Sequence, residues 1–216
     1  MSRNSHRKRI HEIMRSRILR GEIGPEDRLV DTVIAAEMGV SRMPVREALM
    51  QLVSEGYLEG TNRGFTLPGL GHERIMEFFE LRRLLEPHAA ASAAQARTEA
   101  EFSQMQRAVT ETVSTLRTGE FETFYRASEI FRNTWLASVP NGELRQTIQR
   151  YSGQVQSVRF ATMRDPEAHR IIVAGQTELL EAFRRKDALM AGQRILRFVF
   201  EAEQTYLALR PDQGRP

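Results

Sequence analysis

The chain has 216 residues, 41% of them hydrophobic and 27% charged, enough to bury a core as one large domain or two small ones. No stretch approaches the roughly 18 unbroken apolar residues of a membrane span, and Met1 to Arg9 leads into an amphipathic pattern instead of an apolar signal core, so a cytoplasmic protein is expected. Zero cysteines exclude disulfides, thiolate metal sites and cysteine nucleophiles, and a net charge of +3 names no partner.

The charge is unevenly spread. Residues 1–20 carry Arg3, Arg7, Lys8, Arg9, Arg15, Arg17 and Arg20 against the single acid Glu12, and the rest of the chain is slightly acidic. Such an arm suits contact with a polyanion, because phosphate binding is mostly charge neutralisation by lysine and arginine; it also suits a solvated helix face. Ile10, Ile13, Met14, Arg17 and Ile18 fall at helical spacing and predict a helix over 5–20, stopped by Gly21 and followed by a turn at Gly24–Pro25. Asp31 is placed to cap a short helix carrying Val33, Ile34, Ala35 and Met38, which Gly39 ends. Ser41 is placed to cap the next helix, Arg42 to Glu55, with Val45, Leu49, Leu52 and Val53 on its buried face. Pro44 fits the first turn of that helix, where its missing N–H removes no helical bond, and Glu47 favours the helix's positive end.

Two helices joined through Gly39–Val40 read as a helix-turn-helix. Arg42 and Arg46 lie four apart, on one exposed face of the second helix, where a recognition helix meets base edges. Arginine suits that position because its planar fork binds guanine O6 and N7 together. Tyr57-Leu58-Glu59 and Gly64-Phe65-Thr66-Leu67 read as two short strands around Thr61-Asn62-Arg63, a β-wing whose Arg63 is placed to enter a minor groove. A winged helix that docks on protein is the alternative; the basic first helix and both arginines favour double-stranded DNA. Arg7, Arg9 and Thr32 complete the candidate contacts with Ser41, Arg42, Pro44, Arg46, Arg63 and Gly64.

Residues 10–67, with Gly39-Val40-Ser41-Arg42-Met43-Pro44-Val45-Arg46-Glu47-Ala48-Leu49 and Glu55-Gly56-Tyr57-Leu58, resemble the winged-helix domain of GntR-type bacterial transcription factors. Met43 stands where threonine is commoner in that family. The resemblance implies recognition arginines at Arg42 and Arg46, a capping serine at Ser41 and a wing pair at Arg63-Gly64. It also implies a homodimer on a short palindrome with GT…AC-like half-sites.

Pro68, Gly69 and Gly71 form a breaker cluster that divides the chain into a winged helix-turn-helix domain over 1–67, a linker over 68–73 and a helical domain over 74–210. The fold expected is mainly α, with a C-terminal all-helical bundle. Helices are predicted over 74–96, 99–118, 121–138, 142–163, 167–185 and 188–209, with Pro87 expected to kink or bend the first. Ile75, Phe78, Phe79, Leu81, Leu84 and Leu85 are spaced as one apolar face, and Phe102, Met105, Val109, Val113 and Leu116 as another. Leu179, Leu180 and Phe183 form a third core stripe.

Phe79-Glu80-Leu81-Arg82-Arg83-Leu84-Leu85-Glu86-Pro87, Phe131 to Asn141, and Glu178 to Asp187 make this domain similar to the FCD ligand-binding domain of the FadR-like branch of that family. The resemblance implies a divalent metal held by one aspartate and three histidines. The matching positions here are Ser128, Arg132, Gln176 and Phe198, which cannot make an imidazole–carboxylate site, and none of His6, His11, His72, His88 and His169 matches the pattern. No metal or cofactor is therefore expected. A pocket that loses a dication and gains Arg132 keeps a positive centre, which suits a small anionic effector. Arg82 and Arg159 are further candidate cations, with Val155, Val158 and Phe160 around the latter, while Tyr125, Ser128 and Gln176 offer neutral hydrogen bonds and Phe198 lines the site. Any of these arginines can instead pair with an acid, for example Arg82 with Glu86 or Glu178.

Three functions are weighed on these residues. One is a regulator whose affinity for an operator is set by a small molecule, and another is a regulator whose helical domain only dimerises. The third, an enzyme, lacks any P-loop, His-Glu-x-x-His motif, nucleophile elbow or cysteine, so a non-enzyme is expected.

Overall fold

The computed structural model describes residues 3–19, 22–23, 27–68, 71–154, 159 and 162–209. The turn expected at Gly24–Pro25, the stop at Gly21, Gly69 of the breaker cluster, and Val155, Val158 and Phe160 lie outside the described residues. The chain divides into two compact units, Met1–Ile75 with Gln149–Phe160, and Met76–Ile148 with Ala161–Pro216. No helix among the described residues is long and apolar enough to cross a membrane.

In the first unit α1 (Arg3–Leu19) and α2 (Asp31–Met38) both pack on α3 (Arg42–Ser54). Ile10, Met14 and Ile18 of α1 are buried, as are Val45, Ala48, Leu49 and Leu52 of α3, so both predicted stripes turn inward. His11 bonds Glu55 at 2.7 Å and the Arg15 Nε–H donates to the Tyr57 hydroxyl at 2.9 Å, tying α1 to the end of α3. Gly39 ends α2 with φ 63°, a left-handed conformation that costs glycine little, and this makes the tight corner between α2 and α3.

Two details of the capping differ from expectation. Val30, not Asp31, is the N-cap of α2; Asp31 is the first helical residue and its buried carboxylate faces arginines instead of the helix's own N–H groups. Ser41 does occupy the N-cap of α3, in extended backbone conformation, but its side chain makes no capping bond.

The wing consists of β1 (Glu59–Thr61) and β2 (Gly64–Thr66), antiparallel with Gly60 opposite Phe65. The first strand starts later than its β-rich residues suggest, because the Tyr57 N–H is bonded to the Leu52 carbonyl at 2.9 Å and so completes the end of α3. Leu29 adds an isolated antiparallel bridge to β2 by exchanging both backbone bonds with Phe65, at 2.7 and 2.8 Å.

The second unit contains most of α4 (His72–Ala96), α5 (Glu99–Thr118), α6 (Phe121–Ala137), the start of α7 (Gly142–Gln154), α8 (Pro166–Arg185) and α9 (Ala188–Leu209). The helix predicted over 142–163 is described as helix only to Gln154, at residue 159 and at 162–163. α4 runs unbroken through Pro87. α5 packs on both α6 and α8, and α8 on α9. Phe124, Trp135, Phe183, Met105 and Leu136 are among its largest fully buried side chains.

Not every predicted core position is inside. Val113 and Leu116 are exposed, and Thr112 and Thr115 take the buried face of α5 in their place. Their hydroxyls are satisfied locally, donating to the carbonyls of Val109 and Thr112 at 2.9 and 2.6 Å, which lets a polar residue sit inside a helix bundle. Leu81 and Leu84 also face outward. The buried stripe of α4 passes instead through Phe78, Phe79, Glu86, Ala89, Ala90, Ala93 and Ala94, so a charge interrupts an otherwise apolar face.

Candidate functional site

On the first unit a groove lies between α3 and the wing. It is lined by Val30, Asp31, Thr32, Arg42, Arg46, Met50 and the segment 60–65, with a volume of about 360 Å³. Arg42 and Arg46 are 56% and 52% exposed at its edge, and both reach the same carboxylate, Asp31, which is 7% exposed. Arg42 Nε lies 3.0 Å and Arg46 Nη1 3.3 Å from Asp31 Oδ2. Burial disfavours the Asp31 carboxylate, but the two guanidinium groups outweigh it and hold the group below the usual carboxylate range.

Thr32 and Arg63 share this groove with the two arginines, and Gly64 closes it. Gly64 has φ 128°, and a Cβ there would sit 2.5 Å from the Leu29 carbonyl oxygen, so its absent side chain is what allows Leu29 and Phe65 to pair. Ser41 is exposed beside Arg42, whereas Pro44 is buried in the first turn of α3 and shapes the helix start rather than its outer face. Arg7 and Arg9 lie exposed on α1.

In the second unit the cationic candidates meet an acid. Glu86 of α4 is completely buried, and Arg82 Nε lies 3.1 Å and Arg132 Nη2 2.9 Å from its Oε1. Burial pushes the Glu86 carboxyl up, and the charges of Arg132 and Arg82 together with their hydrogen bonds overcome that, holding it at about 2. Each guanidinium also faces a ring, Arg82 over Phe79 and Arg132 over Trp135, 5.6 and 5.7 Å from the centroids. Two cations thus share one buried anion.

Ser128 and Gln176 are buried, and among the described residues Ser128 Oγ and Gln176 Oε1 find no hydrogen-bond partner. Tyr125 is buried with its ring 6.1 Å from that of Phe121. Phe198 packs against Gly175, where a Cβ would stand 2.9 Å from its ring. Arg159 belongs to the first unit and is half-buried. A divalent metal does not fit this donor set: Arg132 presents a guanidinium already bonded to Glu86, and Phe198 has no donor atom. Among the described residues no three His, Cys, Asp or Glu side chains are grouped to hold an ion.

Sequence reasoning missed the pairing of two acids, Asp31 and Glu86, with distant arginines, and missed Arg194 altogether. Asp31 was read only as a helix cap, and its pairing with Arg46 spans 15 residues across a corner, which leaves no periodic signal. Glu86 was visible as an i,i+4 partner of Arg82, but its bond to Arg132 spans 46 residues. Arg194, which no sequence motif singles out, is buried against Gly175 and paired with Glu178 and Glu201.

A family model described as bacterial regulatory proteins, gntR family, matches residues 6–66, and one described as the FCD domain matches residues 77–199. The Nta operon transcriptional regulator of Aminobacter aminovorans is 31% identical over 150 residues, which is 68% of this chain and 69% of that protein. The solved structure of McbR/YncC from E. coli has a TM-score of 0.79 at 21% identity, over 96% of this chain and 98% of that one. A GntR transcriptional regulator from Rhodococcus sp. RHA1 has a TM-score of 0.76 at 20% identity, over 96% of this chain and all of its own. At those identities the two solved structures speak for the fold alone.

Proposed function

Since the chain belongs to the gntR family of bacterial regulatory proteins and carries an FCD domain, we propose that this transcription regulator binds a palindromic operator as a homodimer and alters that affinity when a small anionic metabolite enters the helical unit. It acts in the bacterial cytoplasm. The observation that carries the DNA side is the pair Arg42 and Arg46, half exposed at the groove between reading helix and wing, with Arg63 across from them. Arg7 and Arg9 on α1 supply phosphate contacts, and Thr32 and Ser41 flank the reading arginines.

The effector side is supported by the interior of the second unit. Arg82 and Arg132 meet on Glu86, and each guanidinium carries five N–H donors, so the pair has the donor chemistry to hold an added carboxylate. The unbonded Ser128 Oγ and Gln176 Oε1 supply neutral contacts whose burial a ligand would compensate. Outward-facing Leu81, Leu84, Val113, Leu116 and Phe200 support self-association of this unit. A ligand regulates only if it binds one arrangement of the reading heads better than another.

A second reading, a helical unit that dimerises without a ligand, is favoured by the packing of Phe198 on Gly175 and by Arg132 already holding Glu86. A melting-temperature screen of the whole chain against small carboxylates separates the two, because a ligand selective for the folded state raises Tm. A carboxylate that raises Tm and also releases bound operator is the expected result. No shift with any of them at millimolar concentration favours the ligand-independent reading.

A further inference from the structure

We infer that Asp31 is a positioning residue for base reading: its buried carboxylate tethers Arg42 and Arg46 from beneath, ordering both guanidinium forks toward base edges and opposing their use on phosphate. The inference rests on the reading of the α3–wing groove as the DNA face.

Arg42 and Arg46 are like charges one helical turn apart on α3, with stems that are half exposed. Left alone, such side chains repel each other and sample many rotamers, and both effects work against a fixed reading geometry. Asp31 comes from a different helix and places a single oxygen, Oδ2, within 3.0 Å of Arg42 Nε and 3.3 Å of Arg46 Nη1. Among the described residues neither arginine has a second acid partner. The contact at Arg42 is through its inner nitrogen, Nε, whereas guanine O6 and N7 are gripped by the terminal Nη1/Nη2 pair, so tethering and base reading use different nitrogens.

The carboxylate is too deep to read a base itself, because its side chain is only 7% exposed at the floor of the groove. Its effect therefore passes through the arginines. A fixed anion at that place also removes one of two positive charges from the face, so phosphate gains less there than a guanine edge does. The cations that reach the carboxylate are Arg42 and Arg46, both from α3, while Arg63 of the wing lines the same groove. Specificity is the difference between operator and random DNA, and the tether acts on that difference.

The test compares wild type with Asp31→Asn, which keeps the shape and removes the charge. Both full chains are titrated with the operator that wild type selects from a randomised duplex library, and with a random-sequence duplex, at several salt concentrations. Asp31→Asn is expected to bind random duplex more tightly, with a salt slope steeper by about one, and to lose about 10-fold or more in the operator-to-random ratio. Asp31→Glu retains the carboxylate and is expected to keep the wild-type slope and most of the ratio, which a purely structural role would not require. An Asp31→Asn ratio within about twofold of wild type and an unchanged slope overturn the tether. So does an Asp31→Glu variant that behaves like Asp31→Asn. Failure of wild type to select any duplex overturns the DNA-face reading itself, and the tether falls with it.

Discussion

Glu86 concentrates the electrostatics of the helical unit in one side chain. It is fully buried between Arg82 and Arg132, and breaking one member of such a cluster leaves uncompensated charge in a low-dielectric interior. Its carboxyl titrates at about 2 in the fold against an ordinary value of 4.5, so its contribution is complete above the ordinary value and is lost as pH falls from there toward about 2. Glu86→Gln should therefore cost on the order of 3 kcal/mol in urea unfolding at pH 7, and the gap from wild type should shrink at pH 3. A gap that stays constant across that range contradicts the assignment. At this scale the sequence was only half legible. Spacing showed Arg42 beside Arg46 and Arg82 beside Glu86, because helices repeat locally. It showed neither carboxylate shared by two arginines, because Asp31 takes both of its partners, and Glu86 its second, from another helix.

The elements were more legible than their ends and faces. Helix positions from α4 to α6, α8 and α9 follow the apolar spacing to within about two residues, because a helix stripe and its breakers are local signals. The burial of Thr112 and Thr115 over Val113 and Leu116 was not legible, since it depends on which neighbour α5 meets: Thr115 Oγ1 lies 2.8 Å from His169 Nε2 of α8. A further signal was present and unread. Thr98-Glu99-Ala100-Glu101 forms a capping box, with the Thr98 side chain accepting from the Glu101 N–H and the Glu101 carboxylate accepting from the Thr98 N–H at 2.7 Å. Thr98→Ala should lower stability by about 1 kcal/mol, measured by denaturant unfolding, without altering operator affinity. A change in operator affinity would give that cap a role beyond holding the start of α5.

At the scale of the molecule, two compact units divide the chemistry. One presents a pair of arginines beside a wing; the other gathers two half-buried arginines on one buried glutamate. The sequence made the first unit readable because its helix-turn-helix spans a short contiguous run. The second unit gathers its polar interior from α4, α6 and α8, so only likeness to a family brought those residues together beforehand. The central claim is that the groove between α3 and the wing reads DNA bases. The direct measurement is selection from a randomised duplex library by the full chain and by the double variant Arg42→Ala/Arg46→Ala. The account predicts that wild type enriches an inverted repeat and that the double variant, still folded, enriches none, each arginine contributing about 1–3 kcal/mol. Enrichment of the same repeat by the double variant would contradict it.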